Sequence, residues 1–300
     1  MTTTTRSGAK RSKAAWTALF VTPPLILYIA IVVLPTLLAF FYAFTDASIL
    51  DQSMHWIGLE NFREAFTDRH VLSSIKITLI WLAGAMVIPP AIGLFIALRL
   101  QQKDRIATTM KSALFLPVAL SLVVVGQIWI WMYQPGDGLI NVILNGIGLE
   151  SVARGWLADR SFALIAVFIA WAWQQTILAM ILYLAGLASL PTDLYEAAEI
   201  DGASKSQVTR YITIPLLRPI TAVVVALISI SALRNFDVIY ATTKGGPVRA
   251  TETLPVLVYR LLFREHQLGY SSAIAIILFA MTLALVGAIT WWGNRGKYGD

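Results

Sequence analysis

The residue types that usually carry chemistry are sparse in this sequence. It has no cysteine, and His55, His70 and His266 lie far apart, without the spacing of a metal site. No G-x-x-x-x-G-K-[ST] phosphate-binding loop occurs, so no nucleotide site is expected. Thiol chemistry and disulfide frameworks are excluded, and the chain offers neither a metal centre nor the groups of an enzyme active site within its apolar segments. We expect no cofactor in this chain.

A charged segment stands between two long apolar runs. The stretch YEAAEIDGASKSQVTRYITIPLLRP, from Tyr195 to Pro219, carries acidic and basic side chains in a chain that is 57% hydrophobic. Charged side chains are costly to bury in lipid. The segment therefore has to face water or another protein, and it is the first candidate for a functional contact.

The composition and the apolar windows predict the architecture around that segment. Only 13% of residues are charged and the mean hydropathy is +0.70, whereas about a quarter of residues are charged in soluble domains. A spanning helix needs about 20 apolar residues, and no alternating strand pattern is present. We therefore expect an all-α membrane protein with six transmembrane helices. The predicted spans are residues 17–45, 77–98, 112–136, 161–192, 216–236 and 266–294, within a domain of residues 16–294.

The short loops that hold the most positive charge predict the orientation. Lys and Arg are concentrated in cytoplasmic loops of membrane proteins. The dense loops and tails alternate with the spans, so we expect a cytoplasmic basic tail at residues 1–15 and a cytoplasmic tail at residues 295–300. The basic residues of these cytoplasmic segments explain the net charge of +6, so a nucleic-acid partner is not expected. The basic residues concerned are Arg6, Lys10, Arg11, Lys13, Arg99, Lys103, Arg105, Lys111, Lys205, Arg210, Arg218, Arg295 and Lys297.

With this topology the charged segment is a cytoplasmic loop, and its local sequence predicts two short helices. Asp193 with Glu196 is expected to cap the first helix, and Gly202 to supply the left-handed residue that ends it. Ser204 with Gln207 forms a capping box for the second helix. Helices this short do not persist alone in water, so the pair has to pack on something. That support is either the chain's own membrane helices or a partner protein.

The same loop resembles the EAA loop of permease subunits of binding-protein-dependent ABC importers. Two positions depart from that pattern: Thr209 stands where a bulky aromatic is usual, and Ile214 replaces a leucine. The segments Phe236–Phe263 and Gly269–Phe279 are similar to carbohydrate-importer permeases of the maltose and glycerol-3-phosphate type, so the resemblance covers nearly the whole chain. The residues that match the EAA loop, taken as 193–215, are Glu196, Ala197, Ala198, Asp201, Gly202, Ala203, Ile212 and Pro215.

The resemblance implies a fold, a function and partners. It implies the type I permease fold of ABC importers and ATP-driven import of a sugar or oligosaccharide across a prokaryotic cell membrane. The expected partners are a second permease subunit, a cytoplasmic ABC ATPase dimer that holds ATP and Mg²⁺, an extracytoplasmic binding protein and membrane lipid. Glu196 would be the charged contact to the ATPase, while Ala197 and Ala198 would permit close approach. Glycerol-3-phosphate or a glycerophosphodiester is the alternative substrate class.

Polar and aromatic residues within the spans are the candidates for the sugar path. Sugars bind through hydrogen bonds and by stacking on aromatic rings. Trp173, Gln174, Gln175 and Tyr183 in the fourth window fit that chemistry, but packing between helices explains such residues equally well. Trp129, Trp131 and Trp171 are further candidates of the same kind. A secondary transporter is a distant alternative, because intramembrane carboxylates are absent from five of the windows.

Overall fold

Helices form at most of the predicted windows in a computed structural model of the protein, which describes residues 19–51, 53–101 and 114–294. Within these residues, regular structure is helical apart from one bridge between Thr45 and Trp56. The all-α prediction is therefore confirmed. The long helices are α1 (Leu19–Tyr42), α3 (Arg69–Leu100), α6 (Ala163–Ala188), α9 (Arg218–Leu233) and α12 (Leu268–Asn294). The shorter helices are α2 (Glu60–Ala65), α4 (Leu122–Met132), α5 (Leu139–Gly146), α7 (Asp193–Ile200), α8 (Lys205–Leu216), α10 (Asp237–Thr242) and α11 (Leu254–Phe263).

Four of the described helices, α1, α3, α6 and α12, are long and apolar enough to cross a membrane. A fifth span arises if α8 and α9 are taken together, although they meet at an angle of 64°. The bend follows Leu217, and Pro219 in the first turn of α9 cannot donate a backbone hydrogen bond to the preceding helix. The predicted fifth window, 216–236, is therefore a 16-residue helix that continues at an angle from the charged loop.

The predicted third window, 112–136, does not form one continuous helix in its described part. A 3₁₀ turn, Leu116–Ala119, is followed by Leu120 in an extended conformation. The side chain of Ser121 then accepts a hydrogen bond from Val124 N and starts α4, which has only 11 residues. An apolar run indicates that its residues are buried or contact lipid, but it does not show where the helix is interrupted.

By Cα proximity the chain divides into two compact units, which are described separately. The first contains residues 1–66 and 261–276. In its described part, Asn61 donates from Nδ2 to the carbonyls of Ala43 and Thr45, at 2.9 and 2.8 Å. The backbone N–H of Gly269 donates to Ala47 O at 2.9 Å, and any Cβ at Gly269 would overlap the Thr45 carbonyl. These bonds hold the segment after α1 against the start of α12.

The second unit, residues 67–260 and 277–300, contains the hydrophobic core. Helices α3, α6 and α9 pack on one another there, and α10 packs on α4. The rings of Trp81 and Trp171 meet in this core with their centroids 5.4 Å apart. A Cβ at Gly93 of α3 would lie 2.6 Å from Ala179 Cβ of α6, so only glycine permits this close crossing. Small residues at helix contacts are typical of packing inside membranes.

Candidate functional site

Helix α7 is the first half of the EAA loop. It begins at Asp193, with Thr192 at the N-cap position and no capping bond from its side chain. The prediction that Asp193 caps the helix is therefore wrong by one residue. Asp193 and Glu196 lie in the first turn instead, where their negative charge interacts favourably with the helix dipole.

Helix α7 ends in a Schellman motif, and Gly202 is the left-handed residue that the sequence predicted for this turn. Gly202 has a φ of +74°, and its N–H donates to Glu199 O at 3.1 Å. The next residue, Ala203, donates to Ala198 O at 2.9 Å, which closes the six-residue bond of the motif. Asp201 occupies the C-cap position before the glycine. The left-handed glycine thus makes the sharp turn between the two helices of the loop.

Helix α8 begins with the predicted capping box. Ser204 Oγ accepts from Gln207 N at 3.3 Å, and Gln207 Oε1 accepts from Ser204 N at 2.8 Å. A π-helical segment follows over Thr209–Thr213, and the Thr209 hydroxyl donates to Lys205 O at 2.9 Å. The threonine that departs from the family pattern therefore bonds to its own helix.

The two helices of the loop are joined to each other but leave apolar side chains uncovered. The hydroxyls of Tyr195 and Thr213 are 3.1 Å apart and hydrogen-bonded. Ala198 is buried, and Ile212 and Pro215 are half-buried. In contrast, Ile200 is 86% exposed and Tyr211 is 68% exposed. We call the exposed apolar side chains Leu194, Ile200, Tyr211 and Ile214 the apolar patch of the loop.

Two of the three residues assigned to close contact with the ATPase are accessible, whereas the third, Ala198, is buried within the loop. Glu196 and Ala197 are exposed on α7. Among the described residues, Asp46 and Glu252 form ion pairs, and Glu196 belongs to neither of these. Helix α7 thus carries a solvated carboxylate together with the exposed apolar side chains of Leu194 and Ile200, a combination suited to a protein contact.

Among the four path candidates, Gln174 has a clear structural role. It is 7% exposed, and its Nε2 donates to the carbonyls of Pro117 and Leu120, at 2.9 and 2.7 Å. These two carbonyls belong to the 3₁₀ turn and to the extended residue that follows it. Gln174 therefore supplies the donor that the Leu120 carbonyl lacks where the third window is interrupted, and a second donor to the Pro117 carbonyl, which also accepts from Leu120 N.

The other path candidates differ in their surroundings. Trp173 is partly exposed, and its ring centroid lies 6.0 Å from that of Trp129. Tyr183 is buried on α6 and belongs to the hydrophobic core. Gln175 is buried on α6, and its Oε1 has no hydrogen-bond partner among the described residues. A buried polar atom without a partner costs about 1–3 kcal/mol, so Gln175 is the strongest of the four for a ligand contact.

Two polar residues in and just after α9 have the same property and were not predicted from the sequence. Ser229 of α9 is fully buried, and Asn235, two residues beyond that helix, is 2% exposed. The Ser229 hydroxyl and both amide atoms of Asn235 have no partner among the described residues. Their polar types in an apolar window were the signal, but spacing could not show which atoms the neighbouring helices leave unpaired.

A buried ion pair, also missed from the sequence, closes the segment before α11. The Glu252 carboxylate accepts from Arg260 Nε at 2.8 Å, and Arg249 Nε lies 3.9 Å away. The Glu252 side chain is only 4% exposed. Its turn contains Lys244, Val248 and Arg249 with positive φ. The Gly245-Gly246-Pro247 turn is thus part of an ordered, charge-paired element.

The described residues contain no group of three or more His, Cys, Asp or Glu side chains that could hold a metal ion.

Comparisons with known proteins place this geometry in a family. The family model for the inner membrane component of binding-protein-dependent transport systems matches residues 12–295. A curated protein of Pyrococcus horikoshii, named as a probable ABC transporter permease, is 35% identical over 93% of this chain and 96% of its own length. A permease of the multiple sugar-binding transport system of Streptococcus mutans is 32% identical over 88% of this chain and 89% of its own.

A solved structure shows the same fold. A bacterial ABC transporter involved in the import of the acidic polysaccharide alginate contains a chain that superposes with a TM-score of 0.85. The match covers 97% of this chain and 99% of the other, at 21% identity. The type I permease fold expected from the EAA loop is therefore confirmed. The chain belongs to the inner-membrane components of binding-protein-dependent transport systems, as a permease subunit of an ABC importer and not itself an enzyme.

Proposed function

We propose that this permease forms half of the translocation path for a sugar or oligosaccharide. The observation that carries the proposal is the extended similarity to a relative named for multiple sugars, over almost the full length of both chains. The fold is also shared with an alginate importer. The unpaired polar atoms of Gln175 and Asn235 supply hydrogen-bonding groups of the kind that a sugar requires.

The proposed path lies between α6 and α9, which pack on each other. Gln175 belongs to α6, Ser229 to α9, and Asn235 follows α9. Gln174 is better described as a support for the path, because its amide is already satisfied by two carbonyls. Tyr183 is fully buried in the hydrophobic core and contributes packing.

The EAA loop is the proposed contact with an ATPase dimer. Its Schellman turn and capping box make a defined two-helix element, and the apolar patch supplies surface that a partner can cover. Ile200, almost fully exposed, is the clearest anchor. Helix α8 leads directly into α9, so a displacement of the loop is transmitted to the proposed path.

Six spans with both termini in the cytoplasm complete the proposal. Helix α4, together with the 3₁₀ turn before it, would be the third crossing, and the bent α8–α9 pair the fifth. The basic residues of the short loops support this orientation. A second permease subunit and an extracytoplasmic binding protein complete the transporter, in the membrane of a prokaryotic cell.

The substrate class is tested with the purified transporter reconstituted with its binding protein. ATP hydrolysis is measured with a panel of sugars, oligosaccharides, glycerol-3-phosphate and glycerophosphodiesters. The proposal predicts that an uncharged sugar stimulates hydrolysis. Stimulation by glycerol-3-phosphate alone would assign the chain to the alternative substrate class, and stimulation by no carbohydrate would refute the sugar proposal.

A further inference from the structure

Helix α5 is amphipathic, but its apolar side chains are exposed and its polar side faces the protein. A helix on the surface of a water-soluble protein has the opposite arrangement. Leu139, Val142, Ile143 and Ile147 recur at helical spacing and are all exposed. Asn141, on the opposite side of the helix, is only 3% exposed. A helix in a watery loop would turn its apolar stripe inward. The medium that surrounds α5 is therefore not water.

The orientation of α5 is fixed by the buried asparagine. Asn141 Oδ1 accepts from Trp156 Nε1 at 2.8 Å and from Arg154 N at 3.3 Å. Its Nδ2 donates to Arg154 O at 3.0 Å and to Gln134 O at 3.4 Å. The helix is thus bonded to the chain on both sides of it. The apolar stripe points outward because the polar face is occupied by these bonds.

Neighbouring contacts indicate how deep α5 lies in the membrane. Tyr133, directly after α4, donates from its hydroxyl to Ala166 O near the start of α6, at 3.0 Å. The rings of Trp156 and Phe162 meet edge to face, and the Arg154 guanidinium lies 4.2 Å from the centre of the Phe162 ring. Clusters of aromatic residues at span ends mark the membrane–water interface. Helix α5 therefore lies at that level, at the ends of α4 and α6.

We propose that α5 lies in the lipid interface of the leaflet opposite the EAA loop and anchors the short helix α4. Eleven residues of α helix reach only about 16 Å, well short of the roughly 30 Å hydrocarbon core. Helix α5 touches α4, whose Val123, Val124 and Trp131 side chains are exposed. Its stripe extends that membrane-facing surface, and this continuity selects lipid over a protein partner. The buried depth expected for such a helix is about 5–10 Å.

The test uses the complete transporter reconstituted in lipid bilayers. The chain has no native cysteine, so single cysteines at Ile143 and Asn145 can carry a fluorescent probe. Both positions are exposed, but they lie about 200° apart around the helix, which makes Asn145→Cys the matched control. Quenching is measured with nitroxide-labelled lipids, shallow and deep, and with aqueous iodide.

The probe at Ile143 should be quenched several-fold more by the shallow nitroxide lipid than the probe at Asn145, and it should be protected from iodide. Equal access of iodide to both probes would overturn the proposal, because α5 would then face water. Protection of Ile143 from both lipid and iodide would also overturn it, by showing that a protein subunit covers the stripe. Stronger quenching by the deep than by the shallow lipid would refute the interfacial position.

Discussion

Substitution of Gly202 tests the proposed coupling role of the EAA loop most directly. A residue with a Cβ pays about 1–2 kcal/mol in the left-handed conformation that Gly202 adopts at φ +74°, and a β-branched residue pays more. A Cβ there would meet nothing within 4 Å in the described chain. Gly202→Val should therefore disfavour the turn about 5- to 30-fold, with the conformational cost as its only cause within the chain.

The assay is co-purification of the ATPase with the permease, followed by substrate-stimulated ATP hydrolysis in the reconstituted complex. Gly202→Asn should retain most activity, because asparagine tolerates the left-handed region, whereas Gly202→Val should lose it. Gly58→Val is the matched control, since Gly58 has a φ of +63° and open space around it but lies outside the loop. Wild-type ATPase association and hydrolysis in Gly202→Val would refute the coupling role.

Three further results are expected. A cysteine that replaces exposed Lys205 should not react with a membrane-impermeant thiol reagent in intact cells, whereas one that replaces exposed Lys244 should react. Labelling at position 205 would show that the orientation is the opposite of the one proposed. Gln174→Ala should lower the free energy of unfolding by about 1–3 kcal/mol because the Leu120 carbonyl loses its donor and the Pro117 carbonyl retains only Leu120 N, whereas Gln175→Ala should instead raise the substrate concentration for half-maximal transport. Identical effects of the two substitutions would contradict their separate roles. Glu252→Ala should destabilise the protein by about 3–5 kcal/mol because it removes the carboxylate of a buried ion pair with Arg260, and an unchanged melting temperature would contradict this.

The sequence predicted those features that depend on neighbouring residues or on average composition. Apolar windows predicted the membrane helices, because the length of an apolar run and its lack of charge are local properties. Gly202 predicted the left-handed turn, and Ser204 with Gln207 predicted the capping box, because these motifs close over a few residues. The EAA pattern predicted the family for the same reason.

Only the tertiary structure decided which polar groups inside the spans are satisfied. Gln174 and Gln175 are adjacent and chemically identical, but only Gln174 reaches the interrupted backbone at Pro117 and Leu120. The interruption itself was hidden in an apolar window, and the inverse amphipathicity of α5 follows from what Asn141 contacts. Hydrogen-bond partners that are distant in sequence are set by how the helices pack, so the roles of these residues are properties of the assembled fold.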